Sequence, residues 1–530
     1  MPTLPDPQAL PLAAQVAQMV VVRASGHLFD QQIRYPASEP PAATLRSWLS
    51  ELGVGGVILL GGSAAELWVR TQQLQGWATL PLLLAADIEE GVGQRFAGGT
   101  WFPPPMALAA IAQQNLPRAI ALAQQMGAVT AQEALAIGLN WILAPVVDVN
   151  NNPANPVINV RAFGETPAIV GQLATAFIQG TQAYPVLTAA KHFPGHGDTA
   201  IDSHLDLPVL PHTWERLVQV EWPPFVAAIA AGVDAVMSAH VQIPALDPHY
   251  PATLSKQALT MGLRHHLGFE GLVVTDALVM GAIAKRYGAN EAPVRAVEAG
   301  ADILLMPLDP AGAIQAVCAA VAQGRISHAR ILASVERIWR AKQKVTATRQ
   351  VAAADLTTAL AQPASLNCVN QILTASNRVR VKHPLLRADS PQQWRNLIVV
   401  DRALNCPFLD RHTPAIVLPS EWGYDRLHIV DQSLGDPNLT GLESVPTLVQ
   451  LFVRGNPFRG SAALLHPVQT GLQALCDRQH LRGLVIYGSP YIMDQLLPVL
   501  PPTVPCVFSY GQMPAAQAIA LPALLGCGGA

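Results

Sequence analysis

Residues 186–198 read Val-Leu-Thr-Ala-Ala-Lys-His-Phe-Pro-Gly-His-Gly-Asp. Small and apolar residues run straight into Lys191 and His192, after which Pro194, Gly195 and Gly197 forbid a helix. This is the grammar of a buried strand that stops at a polar mouth and gives way to a long loop. Strand-like apolar runs recur on both sides, at Met19–Val22, Gly56–Leu60, Leu82–Ala86, Trp141–Val147, Ala235–His240, Gly271–Thr275 and Asp302–Met306. Between these runs lie segments with helical spacing, among them Arg118–Ile137, Ala168–Gln182, Trp214–Ala231 and Ala311–Gln323. About eight β-then-α units in one series predict a (β/α)8 TIM-type barrel. Its strands are apolar on both faces, as parallel strands covered by helices must be.

After the helical stretch Ile326–Lys344 the pattern lapses into Thr346–Ser365, rich in Ala, Thr and Gln, and then resumes. Strand-like runs follow at Leu397–Asp401, Ala415–Pro419, Leu427–Asp431, Thr447–Val453, Leu484–Tyr487 and Val504–Phe508. The expectation is an α/β protein: a barrel domain over 1–345, a linker over 346–365, and a smaller α/β sandwich domain with a largely parallel sheet over 366–530.

Composition excludes several classes of function. The chain has 530 residues, half of them hydrophobic, which rules out a mostly disordered protein. Its net charge of −3 supplies no basic field, so no nucleic-acid partner is expected. The six cysteines, at 318, 368, 406, 476, 506 and 527, form no CxxC pair, which fits a reducing compartment. The N-terminal stretch lacks a basic region ahead of an apolar one, and the run Leu52–Ala65 is glycine-broken and too short to span a bilayer. A soluble, cytoplasmic protein, a monomer with no membrane partner, is the expectation.

In a parallel barrel, catalytic groups come from the C-terminal ends of strands. Here Asp87, Asp148, Lys191 with His192, His240 and Asp276 each stand where an apolar run stops. One strand-end Asp is commonly a helix cap or turn residue; five polar ends at one mouth point to a site. The densest segment adds Asp202-Ser203-His204, a carboxylate two residues before an imidazole. In extended or turn backbone these side chains share a side, so Asp202 can orient and charge-stabilise His204 as a general acid/base. Two alternatives compete: a metal site built on His192, His196, His204 and the aspartates, or a structural loop with self-bonded Asp and His side chains. A carboxylate at a barrel mouth, such as Asp276, can attack an electrophilic carbon, as in glycoside hydrolysis, where retaining enzymes set nucleophile and proton donor roughly 5 Å apart.

The segment Lys191-His-Phe-Pro-Gly-His-Gly-Asp-Thr-Ala-Ile-Asp-Ser-His-Leu-Asp-Leu-Pro-Val-Leu210 strongly resembles the signature of glycoside hydrolase family 3, in its β-N-acetylglucosaminidase branch. Also similar are Ala144-Pro-Val-Val-Asp-Val-Asn150, Pro156-Val-Ile-Asn-Val-Arg-Ala-Phe-Gly164, Val236-Met-Ser-Ala-His240, Pro251-Ala-Thr-Leu-Ser255 and Val274-Thr-Asp-Ala277. The C-terminal part resembles the smaller domain many members carry, with Phe508-Ser-Tyr-Gly511 typical of its end. The resemblance implies that Asp276 is a nucleophile, that His204 is the acid/base with Asp202 as its partner, and that Asp87, Arg161, Lys191 and His192 hold the sugar hydroxyls. His240 is a further substrate-binding candidate at its strand end. Where the family shows Asp-Gln-Glu-Gly-Gly-x-Val-x-Arg, this chain has Asp87-Ile-Glu-Glu-Gly-Val-Gly-Gln-Arg95, departing at Ile88, Glu90 and Gly93.

The resulting expectation is a retaining exo-β-N-acetylglucosaminidase that takes N-acetylglucosamine from the non-reducing end of muropeptide-type or chitin-type sugars, with no cofactor and no metal. The alternatives are a β-glucosidase or β-xylosidase of the same family, or a non-catalytic sugar-binding relative. A neutral imidazole repels an incoming anion less than a carboxylate does, so phosphate is also expected to compete with water as acceptor.

Overall fold

The computed structural model describes residues 4–200, 206–345, 352, 355–387, 394–434, 439, 444–454 and 464–526. Eight parallel strands form the first sheet: β1 (Val20–Ser25), β2 (Gly56–Leu60), β3 (Leu83–Ala86), β4 (Trp141–Ile142), β5 (Leu187–Phe193), β6 (Ala235–Ser238), β7 (Leu272–Val274) and β8 (Leu304–Leu305). Neighbours pair in chain order, β8 pairs β1, and the Val274–Ile303 bridge joins the β7 and β8 segments, closing the barrel. The strands are almost wholly buried, as the apolar runs required.

Proline marks where many helices begin. Pro167, Pro223, Pro310, Pro363, Pro414, Pro490 and Pro514 each open one, at a position whose N–H has no helical partner in any case. Asn115 and Asp309 cap the helices Leu116–Ala136 and Pro310–Ala322 with their side chains, and Ser63 with Glu66 forms a capping box.

Proline also corrects one expectation. The helix read over Trp214–Ala231 is broken into Trp214–Arg216, a wide turn over Leu217–Glu221 and a helix Pro223–Ala230. Pro223 and Pro224 donate no hydrogen bond and their rings crowd the preceding turn, so one continuous helix cannot pass through them.

The second sheet holds β9 (Arg378–Arg380), β10 (Arg395–Val400), β11 (Arg426–Asp431), β12 (Thr447–Val453), β13 (Leu481–Gly488) and β14 (Cys506–Ser509), in the order β11-β10-β12-β13-β14-β9. All pairs are parallel except β14 with β9. The strand expected at Ala415–Pro419 is instead part of the helix Pro414–Glu421. Thr413-Pro414 is a helix-start signal, and the buried residues Ala415 and Pro419 stand four apart, a helical face rather than a strand's alternation. The edge strand β9 was not anticipated; three residues carry too little pattern.

The helix Pro363–Ser376 crosses the expected boundary at residue 365. It packs on the barrel helices Met106–Ala112 and Leu116–Ala136 and on Pro514–Ala523 of the second domain. No helix among the described residues is long and apolar enough to cross a membrane.

Candidate active site

The structure gathers the strand-end residues at the C-terminal mouth of the barrel. Lys191, on β5, donates to Asp87 Oδ1 at 2.7 Å and lies 2.6 Å from Glu89 Oε1. Arg161 clamps Glu89 from the loop after β4, Nε to Oε2 at 2.9 Å and Nη2 to Oε1 at 2.8 Å, and donates Nη1 to the Val157 carbonyl at 3.0 Å. Burial alone would raise the Glu89 carboxyl, but Arg161 and Lys191 outweigh it and hold the group well below the usual carboxylate range. Burial likewise opposes the charge on Lys191, yet Asp87 and Glu89 together push its pKa up. Both groups are therefore charged, and the array presents fixed charge at the barrel mouth.

Glu89 is absent from the residues singled out in the sequence. The signal was available: Glu89 stands two residues beyond Asp87, on the same side of an extended turn. Removing it leaves two buried cations short of their counter-charge. Glu89→Ala should cost about 3–5 kcal/mol of unfolding free energy and raise KM, read from urea midpoints and initial rates. An unchanged midpoint and KM would show that the array does not depend on Glu89.

Asp148, buried beyond β4, collects three donors. Its Oδ1 accepts the backbone N–H of His196 at 2.7 Å and of His192 at 3.2 Å, and its Oδ2 lies 2.7 Å from His192 Nδ1. Burial raises this carboxyl and its contacts with His192 and His196 lower it; the contacts prevail. With Nδ1 given to Asp148, Nε2 is the His192 nitrogen left for a ligand. His196 Nδ1 is 2.8 Å from Thr199 Oγ1, and burial pushes its pKa down to about 4, so the ring is neutral at pH 7. Among the described residues, no three His, Cys, Asp or Glu side chains are grouped to hold a metal ion.

Asp276 follows β7, half-buried, its Oδ1 accepting the Ala277 N–H at 2.8 Å, and it lies close enough to His196 to act on that ring's charge. The next carbonyl, Ala277, is held at 2.9 Å by Nε2 of the fully buried His240, whose Nδ1 is 2.8 Å from Thr253 Oγ1. Both His240 nitrogens are thus engaged by protein. The ring braces the turn that follows Asp276.

Asp202 and His204 lie outside the described residues. The backbone on either side is well tethered. Asn155 donates to the carbonyls of His196 and Gly197, at 2.9 Å each, and Gly197 runs against the Val149 carbonyl where a Cβ would collide. On the far side Asp206 pairs with Arg286 at 3.0 Å, on the helix that follows Asp276, and the Leu210 N–H bonds Gln242 O at 2.8 Å.

The second domain grips the same mouth. Arg454, just past β12, meets Glu90 at 2.8 Å, Trp101 Nε1 donates to that carboxylate at 2.9 Å, and the Trp101 ring packs on Phe408. Tyr491 donates to Glu165 at 2.6 Å and accepts from Asn150 at 2.8 Å. The departure at Glu90 is explained: the carboxylate takes a partner from the other domain.

Residues 12–341 match the glycosyl hydrolase family 3 N-terminal domain, and residues 387–526 the bacterial glycosyl hydrolase family 3 C-terminal domain. The chain belongs to glycosyl hydrolase family 3. It is 38% identical over 287 residues to a β-hexosaminidase A of Pseudoalteromonas piscicida, a match covering 50% of this chain and 47% of that protein. A β-hexosaminidase of Nitrosomonas eutropha is 34% identical over 322 residues, 58% of this chain and 92% of that one. Among solved structures, a family 3 β-N-acetylglucosaminidase from Paenibacillus sp. str. FPU-7 is similar along almost the whole length, with TM-score 0.79, 31% identity, and coverage of 98% of this chain and 97% of that one.

Proposed function

We propose that this member of the family is a retaining exo-β-N-acetylglucosaminidase acting on muropeptide-type or chitin-type oligosaccharides. Asp87, Arg161, Lys191 and His192 bind the hydroxyls of the terminal sugar, with Glu89 locking the two cations in place. Asp276 attacks the anomeric carbon and forms a glycosyl-enzyme while His204 protonates the departing oxygen. His204 then takes a proton from the incoming water, and Asp202 keeps its ring oriented and basic. The observation that carries this reading is the Asp276 carboxylate after β7 at the barrel mouth, within a chain similar end to end to a β-N-acetylglucosaminidase. Cys318, Cys368, Cys406, Cys476 and Cys506 are free thiols, which supports a reducing compartment.

Turnover of aryl β-N-acetylglucosaminide against aryl β-glucoside tests the substrate, and NMR of the first-formed anomer tests retention. Strong preference for the glucoside, or an inverted product, would remove this reading. If the donor is a neutral imidazole, high phosphate should divert part of the product to N-acetylglucosamine 1-phosphate, visible by phosphorus NMR. Free sugar alone at saturating phosphate would leave hydrolysis as the only fate.

A further inference from the structure

The stretch that holds Asp202 and His204 is closed at its base by a polar knot the mechanism does not use. Arg216 Nη2 is 3.3 Å from Asp198 Oδ2, and its Nε and Nη2 are 3.2 and 3.1 Å from Glu221 Oε1. His212 Nε2 stands 3.7 Å from both carboxylates. Asp198 and His212 thus flank residues 199–211 on both sides, and both face the segment behind the barrel mouth that bears Arg216 and Glu221. Glu221 is buried and also fills the space over Gly195, where a Cβ would come within 2.8 Å of it and where φ is +132°.

As a device for stability alone the knot is poor. A buried carboxylate costs desolvation, and here its second oxygen, Oε2, has no hydrogen-bond partner among the described residues. Burial raises the Glu221 pKa to about 7 despite Arg216. A local rule broken in this way beside a site marks a functional constraint. We propose that Arg216, through Asp198 and Glu221, is a positioning residue that fixes the base of the acid/base loop. The inference rests on His204 being the proton donor. A loosened base misplaces that donor but removes neither Asp276 nor any sugar-binding side chain, so it damages proton transfer more than nucleophilic attack.

The test is the ratio of kcat/KM for an N-acetylglucosamine disaccharide over a dinitrophenyl N-acetylglucosaminide, in Arg216→Met, Asp198→Ala and Arg216→Lys, with His204→Ala alongside. Arg216→Met should lower the ratio about tenfold, and Arg216→Lys should restore part of it. Asp198→Ala leaves the Arg216–Glu221 pair intact, so it carries the test if Arg216→Met fails to fold. If His204→Ala lowers the ratio and neither Arg216→Met nor Asp198→Ala does, the knot is merely structural and the inference falls. If His204→Ala leaves the ratio unchanged, the assignment beneath the inference falls instead.

Discussion

Asp276→Ala is expected to lose on the order of 10⁴-fold or more in kcat while remaining folded. The loss is large because no other described group at the mouth occupies the same position after β7. The fold should survive because the carboxylate is half-buried and its Oδ1 accepts the N–H of its own neighbour, Ala277. A half-buried carboxylate at a barrel mouth is not core packing, so its truncation opens no core cavity. Circular dichroism and the thermal midpoint check the fold, and single-turnover kinetics check the chemistry. A variant that stays folded and keeps more than about a tenth of wild-type kcat would be no loss of a nucleophile.

The second large effect is selective. His204→Ala should cut disaccharide cleavage far more than the first, glycosylating step with an activated aryl substrate. Proton donation matters most when the leaving group is a sugar hydroxyl, and a nitrophenolate departs without it. Loss of a general acid is worth about 10²–10⁴-fold, and that factor should fall on the disaccharide. Asp202→Ala should show the same selectivity more mildly, since the imidazole remains but is less well oriented and less basic. The readout is the ratio of the two kcat/KM values. Equal loss on both substrates would make His204 a binding or structural group and send the search for a donor to the carboxylates of the second domain.

The barrel was legible because its strands are short apolar runs, five of which stop at polar residues, a pattern independent of distant contacts. The strand Gly56–Leu60 agrees to the residue. The Ala415–Pro419 run misled because five apolar residues fit either a strand or a short helix, and only the Thr413-Pro414 start signal separates them. The positions at the barrel mouth were legible where a polar residue sits at a strand end, as with Asp87, Lys191, His192 and Asp276. They were less so where a residue acts through another. Glu89 needs Arg161 from the loop after β4 and Lys191 from β5, a meeting that spacing along the chain does not show. His240 was found by its strand end, but the carbonyl it holds belongs to a turn 37 residues away, which spacing does not show. Glu90 made no sense until the second domain supplied Arg454.

The most direct test is to trap the covalent intermediate. A 5-fluoro N-acetylglucosaminyl fluoride slows both chemical steps by disfavouring the oxocarbenium-like transition state, while its fluoride leaving group keeps the first step fast enough for the glycosyl-enzyme to accumulate. Peptide mapping of the inactivated protein by mass spectrometry should then place a single added sugar on Asp276, in the peptide containing Val274-Thr-Asp276-Ala277. A sugar on any other carboxylate, or inactivation with no covalent adduct, would contradict the account.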